Sequence, residues 1–134
     1  MARQGIGIDI ENIERFNRIT KTDHDLFLKK IYTVRELNYC FSKENAAPHL
    51  AVRFSGKEAV VKAFKNMGIN NIFYNDIEIL NNESGCPRVI IQKEGFNGLI
   101  INISLSHSAD TCCAVAMIFG DPDHEEDTRD NLVK

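Results

Sequence analysis

Six residues near the start, Gly5-Ile6-Gly7-Ile8-Asp9-Ile10, restrict the fold more than any other stretch. Strict alternation marks a β-strand, because successive side chains point to opposite faces. Ile6, Ile8 and Ile10 form one face, and Gly5, Gly7 and Asp9 form the other. Glycine weakens a strand interior and marks a place where something comes close to the backbone. The bare face beside a carboxylate predicts that a bulky ligand reaches the backbone and Asp9 there.

The remaining periodicities place the other elements. Ile13, Phe16 and Ile19, at three-residue spacing, predict a short amphipathic helix over Asn12 to Ile19. Asp25 to Phe41 is helical in two pieces, the second capped by Thr33 with Glu36 three residues on as a capping box. Pro48 suits the first turn of a long helix that runs to about Asn66 and stops at Gly68. Asp76 to Leu80 and Arg88 to Gln92 predict a hairpin. Leu99 to Ser106 alternates, with Leu99, Ile101, Ile103 and Leu105 on one side, and Cys112 to Phe119 is a final apolar strand.

Helices and strands are segregated along the chain, which favours an α+β domain over a doubly wound fold. The expectation is a mainly antiparallel sheet packed on the long central helix. At 134 residues there is room for one domain, residues 1–119. Residues 120–134 form an acidic, apolar-poor tail that is expected to be disordered. One core of this size is thin, so burial through oligomerisation is expected.

A net charge of −3 argues against nucleic acid as a partner. No apolar run approaches the roughly 20 residues a membrane span needs. Met-Ala-Arg-Gln leads straight into the first strand without a signal-type apolar stretch, so a cytoplasmic protein is expected. Cys40, Cys86, Cys112 and Cys113 lack CxxC spacing and suit small buried hydrophobes better than zinc or disulfides.

The chemistry concentrates on the central helix. Leu50, Phe54, Val60, Val61 and Phe64 fall on one arc of about 120°, the expected core face. Glu58 and Lys62 lie one turn apart on a neighbouring stripe with Ala51 and Ser55, whose small size leaves room for something to approach. Lys57 falls inside the apolar arc, so it needs a buried anion partner, or an interface where an anion arrives. A strand aspartate and a helix glutamate, Asp9 and Glu58, suit a hard divalent cation; magnesium commonly takes one or two protein carboxylates plus phosphate oxygens. His107 ends its strand on the apolar side, with Ser106 and Ser108 opposite. Neighbours on a strand face opposite ways, so these serines and His107 do not make a hydrolytic triad.

Three stretches, in order, resemble the holo-acyl-carrier-protein synthase group of 4′-phosphopantetheinyl transferases: Gly5 to Ile10; Arg53-Phe54-Ser55-Gly56-Lys57-Glu58-Ala59 with Lys62-Ala63-Phe64; and Ser104-Leu105-Ser106-His107-Ser108. Thr33 with Glu36, Asp76-Ile77-Glu78-Ile79 and Gly85-Cys86-Pro87 are also similar to the family, and the resemblance spans roughly residues 5 to 119. It implies the fold of that family and transfer of 4′-phosphopantetheine from coenzyme A to a serine of apo acyl carrier protein, releasing adenosine 3′,5′-bisphosphate, in support of fatty-acid biosynthesis. It implies magnesium on Asp9 and Glu58, and catalytic roles for Glu58 and Lys62. Coenzyme A is expected on Arg53, Lys57, Lys62, Ser106, His107 and Ser108. The proton of the serine is expected to pass to Glu58 or a water on the metal, with Glu36 a further candidate. The family implies a homotrimer with sites between subunits, the aspartate and glutamate coming from one chain and the Ser-His strand from the next.

An acidic carrier protein is expected to dock on the first helical region, with Arg15 matching the family's docking arginine and Arg18, Lys21, Lys29 and Lys30 adding charge. Asp23 and Asp25 interrupt that basic region, and Ser55-Gly56 stands where Ala-Ala is usual. A non-catalytic module binding coenzyme A or a nucleotide is the alternative. It would keep Lys62 and His107 but have no need of both Asp9 and Glu58.

Overall fold

The computed structural model describes residues 3–122. The acidic tail expected over 120–134 lies, beyond Pro122, outside the described residues. Strand β1 (Arg3–Asn12) is followed by a 3-10 turn (Ile13–Phe16), helices α1 (Asp25–Ile31), α2 (Val34–Phe41) and α3 (Ala47–Asn66), and a second 3-10 turn (Tyr74–Asp76). Strands β2 (Ile77–Asn81), β3 (Pro87–Ile91), β4 (Ile100–Ser108) and β5 (Thr111–Gly120) complete the chain. The strands form two antiparallel sheets, one of three strands in the order β1-β5-β4 and one of two, β2-β3. The α+β reading holds, with the antiparallel pairing split between two sheets around α3.

The glycines of β1 decide where that helix lies. Register pairs Gly5 with Ile118, Gly7 with Ala116 and Asp9 with Ala114, so around Gly7 the inward face of the β1–β5 pair carries only small side chains. The fully buried Ser55, Ala59 and Ala63 of α3 are equally small. Backbone therefore meets backbone: a Cβ on Gly5 would lie 2.2 Å from the Ala63 carbonyl oxygen, and one on Gly7 would lie 2.0 Å from that of Ala59. The expectation that a ligand uses this bare face is corrected, because the helix fills it. The room foreseen beside Ala51 and Ser55 is likewise taken up by packing, since both are fully buried.

With the sheet on one side and β2 on the other, α3 is enclosed nearly all round. Leu50, Val60 and Phe64 are fully buried as the arc predicts, whereas Phe54 and Val61 are only partly so. Gly56 faces β2, where an added Cβ would come within 2.6 Å of the Ile79 side chain. Gly68, at φ +84°, adopts the left-handed conformation that ends the helix.

Two further expectations meet different outcomes. The capping box of α2 is present, with Thr33 accepting from the Glu36 N–H and the Glu36 side chain accepting from the Thr33 N–H. The helix expected over Asn12 to Ile19 shrinks to the single 3-10 turn, capped by Asn12. Burial of Ile13 and Phe16 needs no more than that turn. Opposite the helix, Ile6, Ile8 and Ile10 project outward at 58%, 67% and 69% exposure, beside exposed Ile100 and Met117. Cys40 and Cys112 are buried thiols whose pKa values burial pushes up to about 11, and all four cysteines are free.

Candidate active site

Lys62 of α3 meets Asp9 of β1 where the strand crosses the helix. Strand alternation turns the Asp9 carboxylate inward, where it is 9% exposed. The ammonium of Lys62, half exposed on α3, donates to Asp9 Oδ1 at 3.3 Å and to the Ile8 carbonyl at 3.0 Å. Glu58, one turn earlier on α3, accepts a hydrogen bond at Oε1 from the Tyr74 hydroxyl. That bond, burial, and the charges of Glu58, Asp9 and Glu11 together push the Tyr74 phenol up to about 12. The charges of three carboxylates therefore act on one hydroxyl.

Glu11 is the member that the sequence reading missed. It follows Asp9 by two residues on the same strand face, and its carboxylate binds Arg15 at 2.7 Å. Burial, the Asp9 side chain and Glu58 raise its pKa to about 7 against the pull of Arg15. The signal was available, since alternation places Glu11 beside Asp9.

These residues fit a hard cation. Asp9 Oδ2 is buried without a hydrogen-bond partner, and the donor set consists of carboxylate oxygens. Among the described residues no three His, Cys, Asp or Glu side chains are set to hold a metal by themselves. A cation held here by Asp9 and Glu58 would need water or phosphate oxygens to complete its shell.

Lys57 and Glu36 lie elsewhere. Both are fully buried and paired at 2.7 Å. The Lys57 ammonium also donates to the carbonyls of Tyr74, at 2.9 Å, and Ile77. Glu36 accepts from the backbone N–H groups of Thr33 and Ile79, each at 2.8 Å. Of the two readings of Lys57, the buried anion partner is the one observed. Its assignment to coenzyme A and that of Glu36 as a proton acceptor are corrected, because neither side chain reaches a surface where substrate could meet it.

Arg53 and His107 border a separate cleft of about 520 Å³, with Tyr39, His49, Gly85, Cys86 and Pro87 among its walls. Arg53 is 4% exposed, bonds the Ile79 and His49 carbonyls and lies 4.3 Å over the Tyr39 ring. His107 is exposed at the end of β4, where register pairs it with Cys112, and Ser106 and Ser108 are also exposed. Asp9, Glu58 and Lys62 do not line this cleft. Within one chain, His107 stands across β5 from β1, with Cys112 between it and Glu11.

A family model described as the 4′-phosphopantetheinyl transferase superfamily matches residues 5–116. The chain belongs to that superfamily. It is similar to the holo-[acyl-carrier-protein] synthase of Aquifex aeolicus strain VF5, 42% identical over 117 residues that span 84% of this chain and 96% of that protein. The protein of the same name from Thermodesulfovibrio yellowstonii is 41% identical over 86% and 97%. A crystal structure of a holo-(acyl-carrier-protein) synthase from Bacillus anthracis in complex with CoA (3′,5′-ADP) superimposes with a TM-score of 0.69. It is 29% identical over 87% of this chain and 96% of that one.

On this phosphopantetheinyl transferase, the basic residues foreseen for docking are all at the surface. Arg15, Arg18, Lys21, Lys29 and Lys30 are exposed. Arg15 is held by Glu11, and Asp25 neutralises Lys29 at 2.9 Å. Exposed Leu26 and Phe27 stand among them. Tyr74, the partner of Glu58, carried no sequence signal, because a tyrosine in a loop shows no period.

Proposed function

We propose that this chain transfers the 4′-phosphopantetheine arm of coenzyme A to a serine of apo acyl carrier protein, with magnesium held by Asp9 and Glu58. The ion pair of Lys62 with Asp9 at the β1–α3 crossing, with Glu58 one turn earlier on the same helix, carries the reading. The names of the relatives point the same way. The serine oxygen forms a bond to the β-phosphorus, and the bond to adenosine 3′,5′-bisphosphate breaks. Such a reaction asks the protein mainly to position reactants and balance charge. Bound magnesium supplies charge neutralisation at the pyrophosphate. Lys62 offers its ammonium to a phosphate oxygen, and Glu58 or a water beside it accepts the proton of the serine hydroxyl.

Arg53, His107, Ser106 and Ser108 are assigned to the nucleotide, reached from a neighbouring copy. The family resemblance implies a homotrimer whose sites lie between subunits, and the outward isoleucines of β1 supply an apolar face for it. Arg15, Arg18 and Lys21 steer an acidic carrier protein to the site. Four free cysteines suit the cytoplasm.

The test is direct: incubate the chain with apo carrier protein, coenzyme A and magnesium, then weigh the carrier. A gain of one phosphopantetheine unit is expected. No gain, with coenzyme A still bound, would favour a non-catalytic binding module instead. Glu58→Ala is expected to lower transfer by roughly 10²–10⁴-fold, the span seen when a general base is lost, and Asp9→Ala to abolish it. Circular dichroism should show both variants folded. Full activity in either removes the assignment.

A further inference from the structure

We infer that Tyr74 is a positioning residue for Glu58, and that the buried Lys57–Glu36 pair holds it in place. The inference rests on the reading of Glu58 as a cation ligand. Among the described residues, the side-chain hydrogen bond that Glu58 receives comes from the Tyr74 hydroxyl, because Lys62 is committed to Asp9 and the Ile8 carbonyl. A carboxylate has two oxygens and swings about its last torsion. A phenol fixed on Oε1 sets the plane of the group and leaves Oε2 directed, as an outer-shell partner does for a metal ligand.

Tyr74 is itself held from two sides. Its ring packs on Phe54, at 5.7 Å between centroids, one helical turn before Glu58. Its carbonyl accepts from the Lys57 ammonium, which is tied to Glu36 at 2.7 Å, and Glu36 is tied to β2 through the Ile79 N–H. Asp76 closes the same 3-10 turn by accepting from the Phe73 N–H at 2.9 Å. The turn cannot drift from Glu58 without disturbing a fully buried ion pair. Lys57 and Glu58 are adjacent in sequence but face opposite parts of the turn, one its backbone and the other its phenol. This gives the lysine of the apolar arc a part in the site without contact with substrate.

Tyr74→Phe is the test, since it keeps the ring on Phe54 and removes only the hydroxyl. Manganese affinity, measured by titration with coenzyme A present, should weaken by roughly 10–100-fold, as when outer-shell partners of metal ligands are lost. The KM for magnesium should rise in step, while kcat at saturating magnesium changes much less. The melting temperature, measured in the absence of metal, separates this from unfolding. Manganese affinity in Tyr74→Phe that equals or exceeds that of the unaltered chain overturns the inference. If the unaltered chain itself neither binds manganese nor transfers the arm, the reading of Glu58 fails first and takes this inference with it.

Discussion

Lys57 is buried at the centre of the molecule, facing a glutamate buried as completely as itself. Burial pulls its pKa below the ordinary 10.5, and Glu36 works against that pull. Removing one member of such a pair leaves an uncompensated charge in the interior. Lys57→Met is therefore expected to destabilise the fold by about 3–5 kcal/mol, read from urea denaturation. The double variant Lys57→Met, Glu36→Met should recover much of that loss, because no charge is stranded. A single variant as stable as the parent would contradict the pairing. From the sequence, Lys57 was legible as an anomaly, a cation among apolar neighbours, but its partner stands twenty-one positions away on another helix. No local pattern links the two.

At the scale of elements, the capping box of α2 does more than start a helix. Thr33 caps the helix and also donates from its hydroxyl to Glu78 on β2, at 2.6 Å. Glu78 in turn binds Arg35 at 3.3 Å. Thr33→Ala should cost about 1–2 kcal/mol, at the upper end for a lost cap, because the buried Glu78 loses a donor as well. Thr33→Ser keeps the hydroxyl and should restore most of it; thermal unfolding of both variants checks this. The cap itself was readable, since Thr and Glu three apart before an apolar run is a local signature. The first helical region shows the limit of such reasoning. Ile13, Phe16 and Ile19 have helical spacing, yet one 3-10 turn suffices to bury Ile13 and Phe16. Periodicity reports which side chains face inward, and several backbone paths satisfy it.

For the molecule as a whole, the outer face of the three-stranded sheet is the unfinished surface. A strand that carries isoleucine at 58–69% exposure leaves apolar area in water at about 1–2 kcal/mol per side chain. If copies meet on this face, the chain sediments well above its 15.2 kDa mass, and Ile8→Asp sediments as a single chain. Transfer should fall with the loss of assembly, because Asp9 and Glu58 would then lack a neighbour's His107. An Ile8→Asp protein that remains assembled and active would place the interface elsewhere. Gly7 and Ile8 thus divide their labour, one admitting a helix to the inner face and the other leaving the outer face apolar.

The sequence by itself determined the strands, the three main helices, the capping box and the antiparallel α+β class, because each is written in a short-range period or a local motif, and it offered Asp9, Glu58 and Lys62 as candidates. Only the tertiary structure decided what occupies the glycine face of β1, which anion meets Lys57, and that Tyr74 and Glu11 stand beside the carboxylate pair. The physical reason is common to all of them. A period of two or 3.6 says which way a side chain points, whereas what it meets there depends on segments brought together from far along the chain.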